Sequence, residues 1–383
     1  MSARLLRGLT RRLTRYHLGQ ERQNQVSSHG SKHLLKEARQ TARVELRWLR
    51  EEAESRWRQE SRVVQSSQRR CPLDSKLSTA QSPNSHSQSA KLLYTFVARR
   101  TRLHEPLAYI MGHQPFGPLS IAVAPPTLIP RPETEEWGLK FADRICEAVK
   151  ATAVQDRDRA SCSIQSLKIL DLCTGTGCLG LLLATSLARL RKDLPSLPLS
   201  VTCSDLSNSA LDLVRRNIQR NDHLLASRCK GDTEIHVHQG DLFSDPDVHS
   251  LVQHHGPFDV VLCNPPYIPV QEWHGLDSSV KEWEDRRALV GGERRGHGGG
   301  GGDGKDDGLV FYRRIAHILG ELTAARKEQS ALPSATPLVA LEVGKGQAPE
   351  VASILVECAP GVKRTEIWED AWGIERVVVG FTR

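Results

Sequence analysis

Three absences limit what this chain of 383 residues can be. No apolar run approaches the ~18 residues of a membrane span, which excludes a transmembrane helix and predicts a soluble protein without a membrane partner. The nine cysteines form no Cys-x-x-Cys pair and no Cys/His cluster at zinc spacing, so no metal site is predicted and a reducing compartment is indicated. No Gly-Lys-Ser/Thr follows the glycine-rich run at 296–304, which excludes a phosphate-binding loop there.

Acidic residues are also absent from the N-terminus, where the first acid is Glu21. Five arginines precede it, and apolar residues recur among them at helical spacing. An Arg-rich, amphipathic, acid-free segment is typical of a mitochondrial transit peptide, so residues 1–30 are predicted to be one and the protein to lie in the mitochondrial matrix. A basic arm that binds RNA would also be Arg-rich, but it would not need the apolar positions and would stay on the mature chain.

Residues 31–104 are predicted to form a small helical domain. From 34 to 64 the apolar positions step by three or four through a charged background, which predicts one long amphipathic helix or two. Residues 66–90 are rich in Ser and Gln, which predicts a flexible insert. Helical spacing resumes from Lys91 to Arg102. Residues 105–165 are then predicted to form a connector with a short hairpin and a helix.

The segment Leu128–Glu136 allows two interpretations. Pro132 suits the first turn of a helix, and the three carboxylates that follow complement a helix dipole. The same segment could instead be a loop that closes over a ligand. The sequence alone does not separate the two.

A strand, a tight turn and an apolar helix follow from about Leu167, where residues 166–383 are predicted to form a catalytic domain. The turn is Cys173-Thr174-Gly175-Thr176-Gly177. A glycine-rich turn between strand and helix lets the backbone approach a ligand and directs helix N–H groups at it. Gly175, Gly177 and Gly180 have the Gly-x-Gly-x-x-Gly spacing that dinucleotide-binding turns also have. The turn therefore indicates an adenosyl ligand but does not by itself separate one without phosphates from NAD.

The next two predicted strands each end at an acid. Leu199–Asp205 ends at the position where Rossmann-type folds hold the two ribose hydroxyls of a nucleoside. The strand after it ends at Gly240-Asp241, and the Asp241 carboxylate could accept a hydrogen bond from an adenine amino group. Strand and helix alternate here, which places these acids at the carboxyl edge of a parallel sheet.

The fourth strand stops abruptly at Asn264-Pro265-Pro266-Tyr267. Each proline lacks an N–H, so no strand can pair there and the local carbonyls are left for a ligand. The Asn264 amide both donates and accepts, whereas a carbonyl only accepts. Together they could hold a planar NH2 group with Tyr267 stacked on its face. Taken alone, the motif favours a strand followed by a polyproline turn; the upstream strand ends favour a site.

The remainder of the chain completes the predicted sheet. The run at 293–307 is predicted to be a flexible glycine-rich insertion. A fifth strand follows at Leu338–Val343 and a final strand at Arg376–Phe381. A short link near Trp372-Gly373 indicates an antiparallel hairpin at the edge of the sheet.

The motifs together resemble a class I S-adenosylmethionine-dependent methyltransferase. Pro106–Gly112 and Leu128–Glu135 are in addition similar to the HemK/PrmC family, which methylates the glutamine side-chain nitrogen of the Gly-Gly-Gln motif in class I peptide-chain release factors. The resemblance implies an α/β Rossmann-like fold, whose mostly parallel sheet has an antiparallel C-terminal edge hairpin, plus an N-terminal helical domain. It also implies S-adenosylmethionine as cofactor and a release factor as protein partner.

Carried over by position, the resemblance implies two sets of site residues. The cofactor would contact Cys173, Thr174, Gly175, Thr176, Gly177, Asp205, Asp241, Leu242 and Asn264. The substrate amide would be held by Asn264, Pro265, Pro266 and Tyr267, with the Asn264 side-chain oxygen and the Pro265 carbonyl accepting its two N–H groups. Cys173 stands where the family usually has glycine, which restricts the backbone there.

Two other functions remain open. DNA adenine-N6 methyltransferases share Asn-Pro-Pro-Tyr, but they need a DNA-recognition region and a basic groove, and this sequence offers neither clearly. A methyltransferase fold that has lost catalysis and acts as a binding subunit is supported only by Cys173. No stable nucleic-acid binding is expected, and nothing in the sequence demands more than a monomer.

Overall fold

The computed structural model describes residues 3–24, 31–68, 85–157, 166–190, 198–225, 233–292, 307–323, 332–333 and 335–382. The chain divides into two compact units, Met1–Met111 and Gly112–Arg383. The division lies later than the boundary expected after residue 104. The reason is that Ile110, which is fully buried, packs into the apolar core of the helical unit.

The described part of the helical unit is formed by α1 (Ala3–Asn24), α2 (Ser31–Gln68), α3 (Ser85–Arg102) and α4 (Leu107–Met111). Apolar positions three or four apart on the first three helices meet in one core, as amphipathic spacing requires. Leu9 and Leu13 of α1 belong to this core and are 3% and 0% exposed. The segment predicted to be a transit peptide therefore contributes apolar side chains to the folded unit.

A buried carboxylate, that of Glu45, links the three long helices of this unit. Glu45 of α2 accepts hydrogen bonds from His17 of α1 and from Nε of Arg100 of α3, the latter at 2.6 Å. Burial opposes ionisation of Glu45, but the hydrogen bond from His17 and the charge of Arg100 outweigh it and lower its pKa. The ion pairs thus tie α1 and α3 to α2.

The insert predicted at 66–90 is shorter than expected. Residues 66–68 continue α2, and residues 85–90 form the first turns of α3, so α3 begins before Lys91. Residues 69–84, on which the rest of this prediction falls, lie outside the described residues. The composition of 85–90 concealed the helix because this segment lacks the apolar residues at helical spacing that predict one.

The catalytic unit begins with a two-stranded antiparallel hairpin, β1 (His113–Phe116) and β2 (Leu119–Ala122). The other strands are β3 (Leu167–Leu172), β4 (Leu199–Asp205), β5 (Thr233–Gln239), β6 (Val260–Cys263), β7 (Pro337–Glu342), β8 (Arg364–Glu369) and β9 (Glu375–Phe381). The helices are α5 (Pro132–Arg157), α6 (Cys178–Leu190), α7 (Asn208–Arg220), α8 (Asp222–Leu225), α9 (Asp245–His255), α10 (Ser278–Trp283), α11 (Val310–Leu322) and α12 (Ala348–Cys358).

The seven-stranded sheet has the order β5-β4-β3-β6-β7-β9-β8. All neighbours from β5 to β7 are parallel, whereas β9 is antiparallel to both β7 and β8. This confirms the predicted mostly parallel sheet with an antiparallel edge hairpin. The chain runs outward from β3 to β5 and then returns to place β6 on the other side of β3. Ligands bind parallel sheets outside the carboxyl ends of the strands at such a reversal of strand order.

The central strands are apolar because both faces of the sheet are covered. β6 and β7 are buried along their whole length, and α9, α11 and α12 pack with them in one core. Within the ranges described above, no helix is long and apolar enough to cross a membrane. In the same ranges, no group of three or more His, Cys, Asp or Glu side chains is placed to hold a metal ion.

Candidate active site

A pocket in the catalytic unit opens at the carboxyl edge of β3, β4, β5 and β6. Of the residues predicted for the cofactor and the substrate, those that line it are Cys173, Thr174, Gly175, Thr176, Asp205, Asp241, Leu242, Asn264 and Pro266. Gly177, Pro265 and Tyr267 are not among its lining residues. The sheet thus brings motifs that are far apart in the sequence together around one cavity.

The turn after β3 is held by a buried acid, Asp171. One of its oxygens, Oδ2, accepts hydrogen bonds from the Thr174 hydroxyl at 2.6 Å and from the Gly180 N–H at 2.9 Å. Burial raises the pKa of Asp171 to about 7, although both hydrogen bonds oppose the rise. The acid therefore closes the turn onto the start of α6.

The turn requires left-handed backbone at three positions. Cys173, Gly175 and Gly177 have φ angles of 52°, 55° and 82°. Glycine adopts this conformation at no steric cost, whereas a residue with a Cβ does not. Cys173 therefore takes the conformation that glycine would take, and its backbone follows the same path at a cost in strain.

Asn217 of α7 fixes the turn from the other side. Its Nδ2 donates to the Thr176 carbonyl at 2.9 Å and to the Ala122 carbonyl at 3.1 Å, while its Oδ1 accepts from the Ala122 N–H at 2.6 Å. The side chain is fully buried. One amide thus connects the cofactor turn to the β1–β2 hairpin, a connection between distant segments that the sequence did not indicate.

Asp205 lies across the pocket from this turn at the end of β4. Its carboxylate accepts from the Gly175 N–H at 2.9 Å and from the Ser207 N–H at 2.9 Å. Burial raises its pKa despite these backbone bonds. Because a carboxylate offers about four acceptor positions, the two contacts leave it able to bind a ligand hydroxyl.

The end of β5 provides the next wall. Asp241 Oδ1 accepts from the Phe243 N–H at 2.9 Å, and the Asp241 N–H donates to Asp247 Oδ2 at 2.8 Å. Leu242 packs against the apolar core, and its carbonyl accepts from Nε of Arg314 at 2.8 Å. The two residues thus present a carboxylate and an apolar side chain side by side.

The residues that line the pocket fit S-adenosylmethionine. The turn after β3 brings backbone close to the ligand, as the glycine conformations allow, and the Asp205 carboxylate can accept from hydroxyls. The apolar side chains Leu172, Leu206, Leu242, Val248 and Leu251 line the same cavity and provide a surface for a flat ring. Two arginines, Arg131 and Arg287, are among the described residues that line it, and each forms an ion pair with a carboxylate.

The loop after β6 is clamped by close backbone contacts. The Tyr267 carbonyl accepts from Nε2 of Gln347 at 3.0 Å, and its N–H donates to the Leu289 carbonyl at 3.2 Å. A Cβ at Gly291 would stand 2.6 Å from the Pro266 carbonyl, and one at Gly308 would collide with the Tyr267 carbonyl. Only residues without a side chain permit this approach. The predicted insertion lies between these glycines and, apart from Asp307, outside the described residues.

Tyr267, which was predicted to contact the substrate amide, is not among the residues that line this pocket. Its ring packs against the apolar core of the catalytic unit, and burial raises the pKa of its phenol, with a further contribution from the charge of Glu342. It anchors the loop at the core rather than lining the cofactor pocket. Two consecutive prolines and a tyrosine gave no local signal for the direction of the ring.

The helix interpretation of Leu128–Glu136 is confirmed, and the segment also lies beside the pocket. Helix α5 begins at Pro132, and Leu128, Pro130, Arg131 and Thr134 line the pocket. Arg131 also forms an ion pair with Glu284 at 2.5 Å, and the Asp285 N–H donates to the Pro126 carbonyl at 2.7 Å. The start of α5 is thus connected to the segment that follows the Asn264 loop.

A buried hydrogen-bonded network behind Asn264 was missed by the sequence analysis. Asn264 Nδ2 donates to the Thr134 hydroxyl at 3.4 Å, and that hydroxyl donates to Glu342 Oε2 at 2.6 Å. Trp137 Nε1 donates to the same oxygen at 2.7 Å. The local signal that could have shown it is Glu342 itself, an acid in the otherwise apolar strand Pro337–Glu342.

Comparisons with known proteins agree with this geometry. The model of the methyltransferase small domain family matches residues 159–275. A release factor glutamine methyltransferase of Bacillus anthracis is 30% identical over 273 residues, which cover 71% of this chain and 75% of that protein. A Schizosaccharomyces pombe protein named "Probable MRF1 mitochondrial N(5)-glutamine methyltransferase mtq1" is 30% identical and covers 66% of this chain and 68% of its own length.

A solved structure gives a weaker likeness. A protein-(glutamine-N5) methyltransferase of Alicyclobacillus acidocaldarius, described as release factor-specific, is 24% identical, with coverage of 68% of this chain and 98% of that one, at a TM-score of 0.27. The assignment therefore depends on the sequence relatives, two thirds or more of whose length this chain spans. The chain belongs to the release factor glutamine methyltransferase family.

Proposed function

We propose that this protein transfers a methyl group from S-adenosylmethionine to the side-chain nitrogen of the glutamine in the Gly-Gly-Gln motif of a class I peptide-chain release factor. The observation that carries the proposal is Asn264, which lies at the end of β6 in the wall of the pocket with its Nδ2 directed to Thr134. Its Oδ1 is thereby left to accept from a substrate amide. The names of the relatives support the choice of substrate.

The chemical difficulty is that an amide nitrogen is a poor nucleophile, because its lone pair is delocalised into the carbonyl. Asn264 Oδ1 and the Pro265 carbonyl would accept the two N–H groups of the substrate, which orients the nitrogen and favours positive charge on it. S-adenosylmethionine, when bound, supplies a methyl group on a positively charged sulfur. No general base is required if the proton leaves after transfer. Catalysis is thus assigned to positioning and electrostatics.

The cofactor contacts follow from the walls of the pocket. Asp205 would accept from the ribose hydroxyls, Asp241 and Leu242 would contact the adenine, and residues 173–177 would follow the rest of the molecule. In this scheme Tyr267, whose ring packs against the core, supports the loop that carries Asn264 and remains a proposed contact of the substrate amide. Pro266 remains in the wall of the pocket beside Asn264.

The alternatives are less well supported. Acidic residues outnumber lysine and arginine in residues 112–383, which disfavours a groove for DNA phosphates. Cys173, the only support for an inactive binding subunit, adopts the left-handed backbone that glycine would adopt. We further propose a mitochondrial location, supported by the Arg-rich, acid-free N-terminus and by the name of the fission yeast relative, and a monomeric state.

The test is transfer of labelled methyl from S-adenosylmethionine to a purified mitochondrial class I release factor. Label is expected on the wild-type substrate and not on a Gly-Gly-Ala variant of it. Asn264→Ala is expected to lower the rate at least about 100-fold, because an acceptor aimed at the reacting nitrogen is lost. The circular dichroism spectrum and melting temperature of that variant serve as the control for folding.

Absence of label while the wild-type protein binds S-adenosylmethionine would contradict the release factor assignment. Label on an oligonucleotide that contains adenine would favour the DNA alternative. Absence of both label and cofactor binding would favour the inactive binding subunit.

A further inference from the structure

In the network behind Asn264, the donor and the acceptor of each hydrogen bond can be assigned from the chemistry of the groups. The Trp137 indole N–H can only donate, so Glu342 Oε2 is an acceptor in that contact. The Thr134 hydroxyl has one hydrogen, and at 2.6 Å it is donated to the same carboxylate oxygen. The Thr134 oxygen therefore has only lone pairs to offer to Asn264.

This direction decides which end of the Asn264 amide faces Thr134. An oxygen that only accepts must meet the NH2 end of the amide, as observed in the 3.4 Å contact between Asn264 Nδ2 and Thr134 Oγ1. The opposite end, Oδ1, then points away from Thr134. If the amide were rotated by 180°, Oδ1 would meet the Thr134 oxygen with no hydrogen between them.

The network lies in a part of the protein that cannot easily rearrange. Thr134 is 2% and Glu342 is 3% exposed, and Trp137 is 4% exposed. Thr134 is in the first turn of α5, while Glu342 ends β7, whose carbonyl at that residue accepts from the Tyr312 hydroxyl at 2.7 Å. Water cannot replace a missing partner as readily in such a site as it can at the surface.

We propose that Thr134 is a positioning residue for methyl transfer, which, held by Glu342, fixes the Asn264 amide so that Oδ1 faces the substrate nitrogen. The inference deepens the proposed function and rests on it. Substrate amide and Asn264 amide both carry NH2 groups, so an unfixed Asn264 would present a donor to a donor in part of the molecules. Thr134 removes that non-productive state without touching the reacting atoms.

The experiment compares three substitutions of Thr134 in the full-length enzyme with the release factor as substrate. Thr134→Val keeps the shape and loses the hydroxyl, Thr134→Ala loses both hydroxyl and methyl, and Thr134→Ser keeps the hydroxyl. The matched control is Thr152→Val on the same helix, where a buried hydroxyl donates only to the Ala148 carbonyl one turn earlier.

We expect Thr134→Val and Thr134→Ala to lower kcat about 10- to 100-fold, since misorientation of a positioning group costs up to about 10²-fold. The KM for release factor and the Kd for S-adenosylmethionine should stay within about threefold, because the two hydrogen bonds that are lost, to Glu342 and from Asn264, join protein groups and not protein to ligand. Thr134→Ser should retain most of kcat, and Thr152→Val should equal the wild type. If Thr134 had only a structural role, Thr134→Val would have a lower melting temperature, but its kcat would not differ from that of Thr134→Ser.

A second readout does not depend on the substrate. In protein labelled with 15N-asparagine, the side-chain NH2 signals of Asn264, assigned by their loss in Asn264→Asp, should shift and exchange faster in Thr134→Val but not in Thr134→Ser. Serine and valine variants that are equally impaired, or a valine variant with full kcat, would overturn the proposal. If the wild type does not methylate a release factor while the NH2 signals respond as expected, the proposed function fails and the orientation of Asn264 by Thr134 stands.

Discussion

Leu13→Ala tests whether α1 belongs to the folded helical unit or is a separable leader. The Leu13 side chain is 0% exposed and lies in the core formed with residues of α2 and α3, including Leu49 and Leu93. Replacement of a fully buried leucine by alanine costs about 2–5 kcal/mol, the lost transfer energy plus the cavity. We take about 3 kcal/mol as the expected loss in the free energy of unfolding of this unit.

Hydrogen exchange followed by mass spectrometry measures this loss in the intact protein. A loss of about 3 kcal/mol corresponds to exchange that is roughly 100-fold faster in the peptides of α2 and α3, if these amides exchange through unfolding of the unit. Peptides from the catalytic unit report whether the effect stays local. Arg7→Ala, an exposed position on the same helix, is the control and should leave all rates within about twofold.

The result that would refute this reasoning is unchanged exchange in α2 and α3. It would mean that Leu9 and Leu13 contribute nothing to the core, and that residues 1–30 can be removed as a transit peptide without cost. With the expected result, removal of α1 would also take His17 from the buried Glu45 carboxylate. The targeting signal would then be a segment that the mature protein needs.

Two further predictions concern the turn after β3. Because burial raises the pKa of Asp171 from 3.8 to about 7, the folded state holds its proton more tightly than the unfolded state, and the free energy of unfolding falls as pH rises through this window. Between about pH 5 and pH 8 the free energy of unfolding of the wild type, measured with urea, should fall by about 2–3 kcal/mol, whereas that of Asp171→Asn should not. Parallel pH profiles of the two proteins would contradict this. Cys173→Gly should stabilise the catalytic unit by about 1 kcal/mol, because it removes the cost of a Cβ at φ 52°, and an unchanged or lower midpoint would show that the Cys173 side chain gains more from packing than its backbone loses.

The sequence predicted the central sheet well because its strands are buried on both faces. Such strands appear as short continuous apolar runs, and each ends where a polar or glycine residue begins. Strand Leu199–Asp205 has the bounds that the pattern indicated. The acids at strand ends were found for the same reason, since a carboxylate directly after an apolar run marks the edge of the sheet.

Two sets of bounds were not predicted, those of the edge strand β8, which is the first arm of the hairpin predicted near Trp372-Gly373, and the start of α3, because both segments are rich in polar residues. In Arg364–Glu369 only Trp368 is buried, and charged residues occupy half of the positions, so the alternation that marks a strand is lost. Residues 85–90 are likewise polar. In both segments the neighbouring element supplies the order, through pairing with β9 or continuation of an amphipathic helix, and the local composition does not.

The network behind Asn264 could not be predicted because its members are far apart in the chain. Thr134 contacts Glu342 across 208 positions and Asn264 across 130. Each residue has an ordinary local explanation: Thr134 suits the first turn of a helix, and Asn264 suits a turn before proline. Only the parallel packing of β6 against β7, with α5 beside them, brings the three polar groups into one line.

The buried charge of Glu342 is best explained by this network. Burial raises its pKa, so ionisation at this position costs stability, and well-packed apolar residues in place of buried charges are often as stable or more so. One oxygen of Glu342 accepts hydrogen bonds from both Trp137 and Thr134. Because the Thr134 hydroxyl donates its hydrogen to Glu342, it has none left to donate to Asn264. An apolar or donating group at Glu342 would free Thr134 to donate to Asn264 and would turn its amide the wrong way. The hydrogen bonds that Glu342 accepts thus fix, through Thr134, the orientation of the Asn264 amide.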